Sequence, residues 1–123
     1  MLSYNPLVVR AAYEQLYQDT CTIYEYQEVE NPDGTTGFSE VAVEEDIPCR
    51  LSYQTDTTAG NTESASPLKE NIELFINPEL EIKAGSKLSI THLKRTIDYE
   101  RTGEPARYDT HQEVHLELFK GWT

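Results

Sequence analysis

Apolar residues recur at every second position over most of this chain, and a period of two is satisfied by strands that bury one face. The clearest run is Ile47-Pro48-Cys49-Arg50-Leu51-Ser52-Tyr53, in which Ile47, Cys49, Leu51 and Tyr53 share a face. Cys21 and Ile23 alternate with Thr22, Tyr24 and Tyr26. The pattern returns at Ile72, Leu74 and Ile76, at Leu88 and Ile90, and at Val114, Leu116 and Leu118 against His115, Glu117 and Phe119. Turn chemistry separates these runs at Asn31-Pro32-Asp33-Gly34, Asn77-Pro78-Glu79, Lys83-Ala84-Gly85-Ser86 and Thr102-Gly103-Glu104-Pro105. The spacing predicts a mainly β fold, a small antiparallel β-barrel or sandwich of about six strands. Phe38, Val41 and Val43 should begin the return strand of a hairpin, and one long strand should run through Leu93, Ile97 and Tyr99. Pro48 has no N–H to give a ladder, so its strand should be an edge or be entered at a bulge.

Before the first strand the period is different. Asn5 and Pro6 form a helix-start pair, a capping side chain followed by a ring with a helical φ. Val8, Ala12 and Leu16 then fall four apart, with Val9 and Tyr13 on the adjoining row. A short α-helix over about residues 5–17 is expected, with its apolar stripe against the rest of the domain or a neighbouring subunit. Val8, Ala12 and Leu16 are the candidate subunit-interface residues. With strands over about 20–120, the 123 residues make one domain with one core.

From Gln54 to Pro67 there is no large apolar residue. Such a segment cannot bury enough surface to offset its ordering cost, so a mobile loop is expected at about 54–67. Loops beyond ~12 residues in compact domains are often functional.

The net charge of −12 argues against a free-standing nucleic-acid binder, because phosphate affinity rests on Lys and Arg. Between Arg10 and Arg50 there are 10 acidic residues and no Lys or Arg, whereas from Arg50 onward 9 basic residues face 12 acidic ones. This makes a single-strand stacking platform of Tyr13, Tyr17, Tyr24, Tyr26, Phe38 and Tyr53 a poor reading, and core or subunit-interface packing the better one. No apolar run approaches the ~18 residues of a membrane span, and no signal-peptide pattern follows Met1, so a cytosolic protein without membrane contact is expected. Cys21 and Cys49 fall in strand alternation and should be buried, reduced thiols.

No phosphate-binding glycine loop, nucleophile elbow or Cys-x-x-Cys pair is present. His111 and His115 lie four apart, but in a strand that spacing separates them by about 13 Å, too far for one metal ion. They read as exposed strand histidines. Carboxylate pairs such as Glu44-Glu45-Asp46, or Glu113 and Glu117, arise by chance among 22 acidic residues. No catalytic residue, metal site or cofactor is expected.

The order of features is a short helix, a Tyr-rich strand, a hairpin, the strand Ile47 to Tyr53, a polar loop, and the glycine turn of Ile82-Lys83-Ala84-Gly85-Ser86-Lys87-Leu88. That arrangement resembles the head-closure, or head-tail connector, proteins of long-tailed bacteriophages and prophages. The resemblance implies a small β-barrel forming a ring, commonly of twelve subunits, beneath the portal and adaptor proteins. Such a ring closes the DNA channel and offers a docking surface to the tail. It further implies DNA passing nearby without specific binding, and residence in the host bacterial cytoplasm during assembly and then at the head-tail interface of the virion, while the composition of the polar loop predicts a monomer in isolation that assembles only on a preformed ring. By position, the channel or gating loop would hold Thr55, Asp56, Thr57, Thr58, Gly60, Asn61, Glu63 and Ser64. Two other classes remain open: a carbohydrate- or peptide-binding β-sandwich module, which needs a concave aromatic patch, and a hydrolase, which needs two carboxylates in one cleft.

Overall fold

The computed structural model describes residues 5–56 and 69–122. In chain order its elements are α1 (Pro6–Glu14), β1 (Asp19–Glu30), β2 (Thr36–Asp56), β3 (Lys69–Ile76), β4 (Lys87–His92), β5 (Arg95–Arg101), β6 (Ala106–Arg107) and β7 (Gln112–Leu118). The fold is mainly β and antiparallel with one short N-terminal helix, as the periodicity predicts. Strand order is β3-β2-β1-β4-β5-β7-β6, with a further ladder between β3 and β7. That ladder runs from Ile72↔Leu116 to Ile76↔Gln112. On the opposite edge of β7, β5 pairs Tyr99 with Leu118, and β6 continues the edge at Gln112 and Glu113. Six strands therefore form a closed ring of ladders, and β6 extends it by two residues.

The inward positions are those of the alternation. Cys21 and Ile23 from β1, Cys49 and Leu51 from β2, Leu74 and Ile76 from β3, Leu88 and Ile90 from β4, Tyr99 from β5, and Val114 and Leu116 from β7 make one core, joined by Ile82. Tyr99 is almost fully buried, and its hydroxyl meets that of Tyr53 at 2.8 Å, so a polar tip inside the core keeps a hydrogen bond. Asp19 ties three strands together: its carboxylate accepts from the Leu51 amide at 2.8 Å and meets His92 Nδ1 at 2.8 Å.

Three features differ from the sequence expectation. The long strand through Leu93, Ile97 and Tyr99 is two strands, with β4 and β5 joined by Leu93 and Lys94 at φ 50° and 66°. Two central residues at positive φ form the hairpin turn that Asn-Gly usually marks, and Leu-Lys carries no such mark. Secondly, β2 is one strand of 21 residues. It takes in Gln54, Thr55 and Asp56, which the loop assignment included and which pair with Asn71, Glu70 and Lys69. A ladder is made by backbone groups, so it continues where the side chains have stopped being apolar. Thirdly, β1 and β2 slip register on both sides of the Ile23↔Glu44 pair, and the first slip holds Asp46, whose φ is 50° and whose amide donates to Thr22 Oγ1 at 3.2 Å. Pro48 pairs with Thr20 just beyond this irregularity and lies just before the β3 ladder starts at Cys49, so its strand is entered at a bulge and its β3 side is unpaired at Pro48 itself, where the missing N–H costs no ladder bond.

Beyond Tyr24, β1 leaves β4 and pairs with β2 alone, from Glu25↔Val41 to Glu30↔Thr36. The two strands make an arm that projects past the ring, turned by Gly34 at φ 87°. Acidic residues 25, 28, 30, 33 and 40 all lie on it.

Burial pushes the Cys21 thiol up to about 12 and raises that of Cys49 as well, the latter also beside Cys21 and Asp19. Above the ordinary thiol value of 9.0 the unfolded chain ionises groups that the folded chain keeps protonated. Their stabilisation is therefore whole below that pH and is lost as pH rises toward the folded values. Urea unfolding measured from pH 9 upward should show stability falling by about 1.4 kcal/mol per pH unit per thiol, and Cys21→Ala should remove one thiol's share of the slope. A slope unchanged in that variant would contradict the assignment.

Candidate functional site

The structure brings no group of His, Cys, Asp and Glu together to hold a metal ion among the described residues. No described helix is long and apolar enough to cross a membrane. What it offers is three surfaces.

The first is helix α1. Asn5 caps it by accepting from the Leu7 amide at 3.0 Å, with Pro6 at the first helical position, as the sequence predicts. Its docking is polar and aromatic. Arg10 donates to Glu79 at 3.1 Å and to Asn77 Oδ1 at 2.6 Å. Asn77 is held in turn, because the fully buried Gln112 donates to its carbonyl at 2.7 Å and to that of Leu80 at 2.8 Å. Tyr13 stacks on His111 with ring centres 5.2 Å apart, and Tyr108 stacks on the same imidazole at 5.0 Å. His111 also meets Thr110 Oγ1 and Glu113 Oε2, each at 2.9 Å. The reading of His111 as an exposed strand residue is thus corrected: it is buried, it lies one residue before β7, and aromatic rings cover it. His115 is on the strand and exposed, 3.5 Å from Glu73. Tyr17 also turns inward, and burial pushes its phenol up to about 12.

At 100° per residue Arg10 and Tyr13 share one side of the helix, Val8 and Ala12 lie toward the other, and Leu7 falls at its margin, while Leu16 and Tyr17 follow the helix end at Glu14. None of the helix is buried, and Leu7, Val8 and Leu16 are 71%, 64% and 55% exposed. The alternative that the stripe of Val8, Ala12 and Leu16 packs on its own domain is therefore excluded.

The second surface lies on the arm. Tyr26 stacks between Phe38, at 5.5 Å, and Trp122, at 5.1 Å, while Phe119 meets Trp122 edge to face at 4.9 Å. Lys87 sits 4.7 Å over the Tyr24 ring and pairs with Glu40, anchoring the base of the strip. Tyr26 and Trp122 form one wall of a groove of about 670 Å³ whose other lining includes Glu25, Glu28, Glu100 and the Lys83–Ser86 turn. Its single lysine, Lys83, lies 3.8 Å from Glu25. The Phe38 ring, 63% exposed, extends the strip to the outside.

The third surface is the β4–β5 tip. Leu93 is 79% exposed, and it lines one concave region with Leu16, Arg50, His92 and Lys94. Arg95 stands beside them in a neighbouring hollow with Tyr53 and Ile97.

Of the gating-loop candidates, Thr55 and Asp56 lie in β2, while Thr57, Thr58, Gly60, Asn61, Glu63 and Ser64 fall outside the described residues. Sequence reasoning missed the strip, because Trp122 belongs to no alternating run, and missed the tip, because its turn lacks Asn or Gly.

The chain matches no protein-family model and no curated protein. Among solved structures it is similar to the phage-like element PBSX protein xkdH from Bacillus subtilis, at 14% identity over 81% of this chain and 93% of that one, with a TM-score of 0.46.

A nine-residue helix cannot hold itself in water, so α1 should depend on its few docking contacts. Tyr13→Ala should abolish amide-exchange protection across Val8 to Gln15 while lowering global stability by about 1 kcal/mol or less. Retained protection would show that the stack on His111 does not hold the helix.

Proposed function

We propose that this chain is a structural assembly protein of a long-tailed phage or prophage. One copy would be a segment of a ring between portal or adaptor and tail, closing the DNA channel and offering the tail a docking surface. The arrangement of features set out above suggests the class, and one structural observation carries the reading: the side of α1 turned to water is its apolar side. A single copy leaves Leu7, Val8, Ala12 and Leu16 uncovered, which suits a chain completed by neighbours. The arm and ring surface, rich in carboxylates, would let DNA pass without gripping its phosphates. On this reading the chain transforms no substrate.

The isolated chain should sediment as a monomer at micromolar concentration and enter rings on a portal-adaptor platform visible by electron microscopy. Val8→Asp with Leu16→Asp should abolish incorporation while changing stability by less than about 1 kcal/mol, since both side chains are already solvated. Full incorporation of that variant would remove the helix from the interface.

A second reading, a carbohydrate- or peptide-binding module, is favoured by the Phe38–Tyr26–Trp122 strip. It requires a saturable ligand for the monomer, which a glycan or peptide array read by Trp122 emission would reveal.

A further inference from the structure

We infer that the acidic aromatic groove of one copy receives the Leu93–Lys94–Arg95 tip of a second copy, a contact that rests on the ring reading and gives it a specific joint. The two surfaces match in kind. The groove is lined by the stacked pair Tyr26 and Trp122 and by three carboxylates, Glu25, Glu28 and Glu100, against one lysine already near a carboxylate. The tip presents an exposed leucine followed by two cations, with Arg50 lining the hollow behind it. A leucine gains by burial against the exposed parts of these aromatic side chains, and the carboxylates take the charge of Lys94 and Arg95.

A copy cannot make this contact with itself. β1 and β4 run antiparallel, with Thr20 opposite Thr91 and Tyr24 opposite Lys87. The tip follows His92, at the end where β1 begins, and the groove lies past Tyr24, at the other end. Tip and groove are different patches on opposite ends, so the contact is heterologous, and each copy both gives and receives. Such a contact closes into a ring when its rotation divides the circle. It suits weak association in solution and strong association on a platform, where each joint forms at high effective concentration.

The turn itself supplies the test. Leu93→Asn with Lys94→Gly installs the pair that the two positive φ values favour, so the hairpin should be kept, and thermal stability equal or raised, while the docking side chains are lost. Trp122 is the only tryptophan in the chain and reports on the groove directly. Donor copies carrying Trp122→Phe are silent. Titrating them into wild-type protein should change the tryptophan emission, and donors that also carry the tip substitutions should need at least about ten-fold higher concentration for the same change. Glu28→Lys in the emitting copy should weaken the response to unmodified donors in the same direction. Equal responses to both donors, no response up to about 1 mM donor, or a response to oligosaccharides alone would each overturn the contact. Rings that still form on the platform from the tip variant would leave the assembly reading standing and remove only this joint.

Discussion

Closure of the strand ring rests on one ladder, the pairing of Ile72 through Ile76 with Leu116 through Gln112. Without it β3 and β7 would each present a row of unpaired amides and carbonyls, and the sheet would be an open template for other chains. With it, the apolar faces of six strands turn to a common interior, and Leu74, Ile76, Val114 and Leu116 complete the core that Cys21, Ile23 and Ile90 begin. The buried Gln112 stands at the end of this ladder and extends its order outward. Its amide group fixes the carbonyls of Asn77 and Leu80, and the Asn77 side chain then receives Arg10 from the helix. The position of α1 is thus set from the ring by hydrogen bonds and one aromatic stack, which leaves its apolar side free for something else.

Closure also explains where the remaining surfaces lie. A ring of strands has two ends, and every hairpin emerges at one of them. β1 and β2 overrun their neighbours at one end, and the overrun is where the carboxylates concentrate. At the other end β1 begins, β4 turns into β5, and Arg50, Lys94 and Arg95 gather near Leu16 and Leu93. The polarity of charge seen along the sequence, acidic before Arg50 and mixed afterwards, is converted by this topology into a polarity between the two ends of the molecule.

Much of this architecture was legible in the alternation. Where Cys, Ile, Leu and Val recur at steps of two, strands are found, and most of those residues are inward; Leu118, at the end of β7, continues the Val114 and Leu116 alternation but is 63% exposed. The helix start at Asn5 and Pro6 and the turns at Gly34 and Gly85 were equally readable, because each depends on a local backbone preference. The misreadings share a cause. Leu93 and Lys94 turn the chain although neither is a turn former, because strands on both sides dictate the register. His111 is buried by rings from Tyr13, Phe75 and Tyr108, and the first two are distant in sequence, with no local pattern connecting them to it. Trp122 joins Tyr26 and Phe38 across nearly the whole length of the chain. Candidate sites were therefore harder to read than the fold, since they are made by side chains that meet only after the ring has closed.

The choice between an assembly part and a ligand-binding module turns on how the exposed apolar groups are distributed. A module for a soluble ligand needs one concave patch and gains nothing from apolar groups elsewhere on its surface, which would cost it solubility. Here exposed apolar groups are spread over the surface, on the outer side of α1, at the rim of the arm at Phe38, at the β4–β5 tip at Leu93 and at the end of β7 at Leu118. Leu16 and Leu93 line one hollow with Arg50 and Lys94, and the groove beside Tyr26 and Trp122 is bordered by carboxylates. Surfaces that are apolar, paired in opposite charge and set at opposite ends suit a copy that meets several neighbours at once, and that distribution weighs the balance toward assembly.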